Sequence, residues 1–143
     1  MSTRSIIAIK VNSTKVKFVY CHWDGYPSGV GETLFHHYNN FEKINELIEN
    51  GGISSLKENV NIPLDVNHSF STPQENVTVF YGRDRGDKNS QHNEVRTIKM
   101  LDKFFDHWGT EWVYYYDCKS CKWFFKYFKS KEYKELTEND IVE

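Results

Sequence analysis

Two runs of β-branched and apolar residues, Ser5 to Val11 and Lys15 to His22, open the chain with only Asn12, Ser13 and Thr14 between them. Runs of this kind joined by so short a polar break read as a β-hairpin, and a hairpin is stable only when further strands or helices cover it. The rest of the sequence must supply that cover. Apolar residues recur at helical spacing from Val30 to Tyr38 and from Phe41 to Glu49, and Asn50-Gly51-Gly52 is a strong stop. Residues 53 to 75 contain Pro63, Pro73 and many polar side chains, which predicts an irregular connection before a compact strand at Val77 to Tyr81 and a loop at Gly82 to Asp87. Val95, Ile98, Leu101, Phe105 and Trp108 trace one face of a helix ended by Gly109, and Glu111 to Asp117 with Lys122 to Phe128 form a terminal hairpin. The order of strands, helices, strand, helix and strands predicts an α+β fold, a mostly antiparallel sheet with short helices packed on it.

At 143 residues the chain is about one domain, 1–143, without room for a substrate domain beside a cofactor domain. Its 18 Lys and Arg against 20 Asp and Glu give a net charge of -2, so no DNA or RNA polymer is expected as partner and any anion site must be local. No stretch of about 18 apolar residues occurs, and the opening MSTRSIIAIKV lacks a small-residue cleavage site. Three cysteines, an odd number, fit a reducing compartment better than a disulfide framework. The expectation is a chain that stays in the cytoplasm and makes no use of a membrane. Aromatics reach 16%, and rigid rings build flat contact surfaces.

The segment YCHWDGYPSGVG, residues 20–31, is the first candidate site. Its glycines allow a ligand to approach the backbone, and the helix start that follows has unpaired N–H groups suited to phosphate. Trp23 and Tyr26 are candidates to stack on a base, and Asp24 to accept from a ribose hydroxyl or an exocyclic amine. The alternative is that the rings are core and the glycines are turn punctuation. No Lys-Ser or Lys-Thr follows, so this is not a Walker loop. In the second candidate, Gly82 to Asp87, Arg83 and Arg85 offer two guanidinium forks to a diphosphate, tempered by Asp84 and Asp87; a solvated turn with local Arg–Asp pairs is the competing reading. For Cys118-Lys119-Ser120-Cys121 to be a zinc knuckle, Cys21, His22 or a scattered histidine would have to supply two further ligands, and a redox pair is another alternative; the segment reads instead as a Lys-Ser hairpin turn flanked by two thiols, so neither metal nor cofactor is expected. There is no nucleophile elbow, no H-E-x-x-H and no clear carboxylate pair, so an enzyme is not expected either.

Several of these segments together resemble a known family. Thr3-Arg4-Ser5 before an apolar strand, Tyr20 through Tyr26, a glycine-led helix ending in His37-Tyr38, Ser54-Ser55-Leu56 and Tyr81 through Gly86 are similar to the first class of Thoeris anti-defence proteins of phages and prophages. The resemblance covers residue 2 to about 87. It implies a sponge: a protein in the cytoplasm of an infected bacterium that binds the glycocyclic ADP-ribose signal of a TIR-domain immune enzyme and holds it without cleaving it. Some members also bind cyclic oligonucleotides, which are implied as a second ligand class. By position, the resemblance implies Arg4, Trp23, Asp24, Tyr26, Arg83, Asp84 and Arg85 as ligand-binding residues. An enzyme that hydrolyses such a signal is the alternative, and a protein-binding inhibitor with an aromatic surface is a third reading. In the terminal hairpin, Trp112 to Tyr116 and Trp123 to Phe128 are apolar on both faces; either helix 95–108 covers the second face or another copy does. The family's sponges are assemblies, so the resemblance implies a homo-oligomer.

Overall fold

The computed structural model describes residues 2–142. The opening hairpin forms as expected, with β1 (Ser5–Asn12) antiparallel to β2 (Lys15–Cys21) from Ser5↔Cys21 to Asn12↔Lys15. The Asn12 carboxamide accepts from the Thr14 N–H at 2.9 Å, which closes the turn locally. Both faces of this pair are buried: Ile7, Ile9, Val19 and Cys21 belong to one core cluster, and Ile6, Ala8, Val16 and Phe18 to another. Strands buried on both faces are central strands, and the sheet extends on either side of them.

Beyond β2 lie β3 (Ile53–Ser55) and β4 (Val79–Phe80). A third short strand, β5 (Asn93–Val95), pairs with the other half of β2. Beyond β1 come β6 (Trp112–Asp117), β7 (Lys122–Tyr127) and β8 (Lys134–Glu135). The fold is α+β, an eight-stranded sheet of order β4-β3-β2-β1-β6-β7-β8 with short helices on it. Antiparallel pairs dominate; β1–β6 and the single β2–β3 pair are parallel.

One face carries α1 (Glu32–His37), α2 (Phe41–Glu49) and α5 (Glu138–Ile141), which contribute Leu34, Ile44, Leu47, Ile48 and Ile141 to the core. The Asn40 side chain caps α2 by accepting from the Lys43 N–H. Tyr38 is fully buried yet satisfied: its hydroxyl donates to the Lys57 carbonyl at 2.7 Å, and its own carbonyl accepts from the Trp123 indole N–H at 2.8 Å.

On the other face the expected helix 95–108 is replaced by three pieces. Val95 is drawn into the sheet opposite Val16, residues Ile98–Lys103 form a 3-10 helix, and only α4 (Phe104–Trp108) is α-helical before Gly109 ends it with φ 67°. The three-residue spacing of Ile98 and Leu101 suits the three-residue turn of a 3-10 helix. Leu101, Phe105, Phe104 and Trp108 still cover Ile6, Ala8, Phe18 and Val113. Of the terminal hairpin's second face this cover reaches Val113, while Tyr115 and Phe124 on the same face are half-buried.

The segment 81–87 also departs from a loop. Tyr81–Arg85 is a helical turn, α3, and Val77 and Thr78 lie outside strand β4. At its C-terminus the Gly86 N–H donates to the Gly82 carbonyl with Gly86 at φ 84°, the single bond of an αL cap, and the Asp87 N–H donates to the Tyr81 carbonyl. Among the described residues no helix is long and apolar enough to cross a membrane.

Candidate ligand cleft

The even-numbered face of β2 continues past its helical cover. Phe18 lies under Trp108 with ring centroids 5.4 Å apart, Tyr20 meets the far edge of the same indole at 5.9 Å, and His22 and Trp23 follow off the strand end with rings 4.6 Å apart. Because α4 ends at Trp108, the rings beyond it are left to form one wall of a cleft of about 910 Å³. The opposite wall comes from Phe70, Tyr81 and Arg85, the floor from Gly52 and Ser54, and the rim from Asp87 to Gln91. The volume lies in the upper part of the range of about 300 to 1,000 Å³ common for ligand sites.

The rim is anchored through a close approach of two backbones. The Gly52 N–H donates to the Ser90 carbonyl at 2.7 Å, and a Cβ at Gly51, whose φ is +88°, would lie 2.1 Å from that same oxygen. The Asn50-Gly51-Gly52 stop therefore also sets where the cleft's edge can sit.

Of the residues expected from the sequence, Trp23 and Arg85 line this cleft. Trp23 is 43% exposed, so the reading of it as a core ring does not describe it. Arg85 rests in the corner of two tilted rings, its Cζ 4.5 Å from the Phe70 centroid and 4.8 Å from that of Tyr81, and its Nε and Nη2 donate to the Asp87 carboxylate at 2.9 and 2.7 Å.

The others are placed elsewhere. Arg83 turns inward: it donates to the carbonyls of Val60 and Thr78 and to both oxygens of Asp84, and lies over the Phe80 ring. Asp84, with its side chain 1% exposed, also accepts from the Phe80 N–H at 2.8 Å and meets His68 at 3.3 Å. Burial pushes the Asp84 carboxyl up, but the Arg83 and Phe80 donors with the nearby Arg83 and His68 charges outweigh it, and the net shift is downward. This cluster ties α3 to β4 and to the segment around Val60; the two arginines do not form one diphosphate clamp.

Asp24 sits at φ 57° and accepts from the Tyr26 hydroxyl at 2.9 Å. It lines a separate hollow of about 300 Å³ on the other side of Trp23, where Asp24, Glu32, Glu58 and Glu75 outnumber the cation Lys57, a net negative setting unsuited to phosphate. Tyr26 is not among the residues lining either space. The glycine segment departs from a loop, since Pro27–Gly31 is a π-helical turn running directly into α1, and it serves the chain's own packing: the Gly29 N–H donates to the Tyr26 carbonyl and that of Val30 to the Asp24 carbonyl, so these donors are taken, and a Cβ at Gly29 would clash with the Asp24 carbonyl oxygen. The Tyr114 hydroxyl holds the loop from below through the Gly25 carbonyl at 2.6 Å. Arg4 lies beneath the cleft wall, with Nη1 3.5 Å from the Trp108 carbonyl.

Tyr20, His22, Phe70, Tyr81 and Trp108 were not singled out from the sequence as ligand contacts; for Tyr20 and His22 the alternation Phe18, Tyr20, His22 was the available signal. The Tyr20 hydroxyl and His22 Nδ1 are 2.6 Å apart. Burial, followed by the Arg4 charge, lowers the His22 imidazole, while burial raises the Tyr20 and Tyr81 phenols, so all three are uncharged at neutral pH. The cleft thus combines neutral aromatic walls with one fixed guanidinium and Lys88 at its rim.

Cys118 and Cys121 occupy the β6–β7 turn, whose Asp117 accepts from the Lys119 N–H and the Ser120 hydroxyl. Among the described residues no group of three or more His, Cys, Asp and Glu side chains is placed to hold a metal ion. No family model, curated protein or solved structure matches the chain.

Proposed function

We propose that the chain binds a cyclic ADP-ribose-type nucleotide in this cleft and sequesters it without cleavage, the role of a phage sponge against a TIR-domain immune signal. The observation that carries the reading is the meeting of Trp23 and Arg85, from two of the segments the resemblance rests on, in one cleft of nucleotide size. Trp23, Tyr81, Phe70 and Trp108 supply faces for a purine, Arg85 and Lys88 supply charge for the diphosphate, and Ser54, Gln91 and Asn93 supply hydrogen bonds for ribose hydroxyls. Of the seven expected contacts the proposal keeps these two as direct and gives the Arg83–Asp84 pair and Arg4 the task of holding the walls. A cytoplasmic site of action and a homo-oligomeric state belong to the proposal through the resemblance alone.

A second reading rests on His22. A neutral imidazole 2.6 Å from a tyrosine hydroxyl at the wall of the cleft is a candidate general base for hydrolysis of the same ligand. One experiment separates the two: incubate the protein with cyclic ADP-ribose isomers, remove unbound material, denature by heat and identify what is released. Intact nucleotide released at stoichiometric amounts supports the sponge, a cleaved product in either the unbound or the released material supports the enzyme, and intact nucleotide left wholly unbound removes both.

A further inference from the structure

Arg85 is the cleft's best-placed cation, and its carboxylate partner is part of the same wall. Asp87 takes the Nε and Nη2 donors of its guanidinium at 2.9 and 2.7 Å, the bidentate geometry that a phosphate would also adopt. The rings of Phe70 and Tyr81 support the guanidinium through its flat surface, so its position does not depend on which anion meets its edge. Asp87 is differently held. It follows the left-handed Gly86, its backbone is fixed by the N–H bond to the Tyr81 carbonyl, and its side chain is 35% exposed with Arg85 as its ion-pair partner among the described residues. Rotating that side chain toward solvent frees the fork without moving the chain.

We propose that Asp87 is an internal stand-in for ligand phosphate: it occupies the Arg85 fork and yields it to an entering anion, so that the pair sets a cost that anionic ligands must meet and uncharged ones do not. The inference rests on the cleft being the nucleotide site. An anion must displace the Asp87 carboxylate to reach the fork, whereas an uncharged ligand leaves the pair in place. A diphosphate carries two charges, and Lys88 of the same cleft is a second cation that offsets the loss of the pair. The displaced carboxylate then stands beside the bound anion and weakens its binding, which makes Asp87 a brake on anion affinity and not a ligand contact.

Calorimetric titration of the wild type and of Asp87→Asn with cyclic ADP-ribose, inorganic pyrophosphate and uncharged adenosine tests this. Removing the competing charge is expected to tighten cyclic ADP-ribose and pyrophosphate about two- to fivefold, the scale of one exposed ion pair, while adenosine is unchanged. The tightening is expected to shrink as salt is raised. If instead Asp87→Asn weakens cyclic ADP-ribose or leaves it as it was, while the wild type binds both cyclic ADP-ribose and adenosine, the stand-in idea falls and the nucleotide cleft survives. If the wild type binds neither, both fall. Equal melting temperatures for the two proteins make the comparison one of binding.

Discussion

Arg83 and Arg85 stand two positions apart on one helical turn, and the two sides of that turn have opposite surroundings. On the inner side Arg83 is spent on two backbone carbonyls and a carboxylate that is 1% exposed. On the outer side Arg85 pairs with a half-exposed carboxylate and faces a cleft. A guanidinium placed among fixed acceptors holds a fold together; the same group against aromatic rings, with a partner that can leave, is available to a ligand. The lesson is that a five-residue helix can turn two identical residues of one motif to opposite settings, one spent on the fold and one facing a cleft.

The sharpest way to break this contrast is to truncate each arginine alone. Arg83→Ala leaves the Asp84 charge buried with only the Phe80 N–H and His68, and is expected to cost about 3 to 5 kcal/mol of folding stability. Denaturant unfolding measures it. Arg85→Ala removes an exposed pair and is expected to cost under about 1 kcal/mol of stability, while ligand affinity falls by about 1 to 3 kcal/mol, the scale of a charge-assisted bond. Swapped outcomes, with Arg83→Ala stable and non-binding, would reverse the assignment of the two sides.

Trp23→Ala sharpens the comparison at the opposite wall. At 43% exposure the indole contributes little to the core, so the melting temperature is expected to hold while affinity drops by about 1 to 3 kcal/mol, the range for stacking on a base. Asp24→Asn on the other side of that indole is expected to leave affinity within experimental error, since its hollow is separate. A drop equal to that of Trp23→Ala would move the site to the acidic side.

Much of the scaffold was legible because it is local. The β-branched runs, the Asn12–Thr14 break, the Asn50-Gly51-Gly52 stop and the helical spacing of Leu34 or Ile44 each act within a few residues, and the hairpin and the two helices they predict are present. The parallel pairing of β1 with β6 was not, since it joins strands about a hundred residues apart and no periodicity specifies a neighbour. Strand β3 escaped notice because three residues carry no pattern. At the site, Trp23 and Arg85 were visible as residue types in loops. The inward turn of Arg83 was hidden, because it depends on carbonyls supplied by Val60 and Thr78 through tertiary packing. Tyr81 and Phe70 become a wall only when α3 folds against the segment before it, with their rings 5.9 Å apart.

Acid titration draws the smallest effect and the finest distinction, between the two aspartates. Both carboxyls lie below their ordinary value: for Asp84 the Arg83 and Phe80 donors overcome burial, and for Asp87 the Arg85 hydrogen bonds come first. A carboxyl that is lower in the folded state binds fewer protons there than in the unfolded chain, so its stabilisation is complete above about pH 4 and is lost as pH falls through the folded value. For the buried Asp84 that loss acts on folding. Melting curves of the wild type and Asp84→Asn should therefore be furthest apart at neutral pH and converge below about pH 4. Asp87 is open to solvent, and its ion pair is screened, so Asp87→Asn should track the wild type throughout the same range. If the Asp87 variant converged in acid as strongly as the Asp84 variant, the outer pair would be holding the fold as the inner one does, and α3 would have no side free for a ligand.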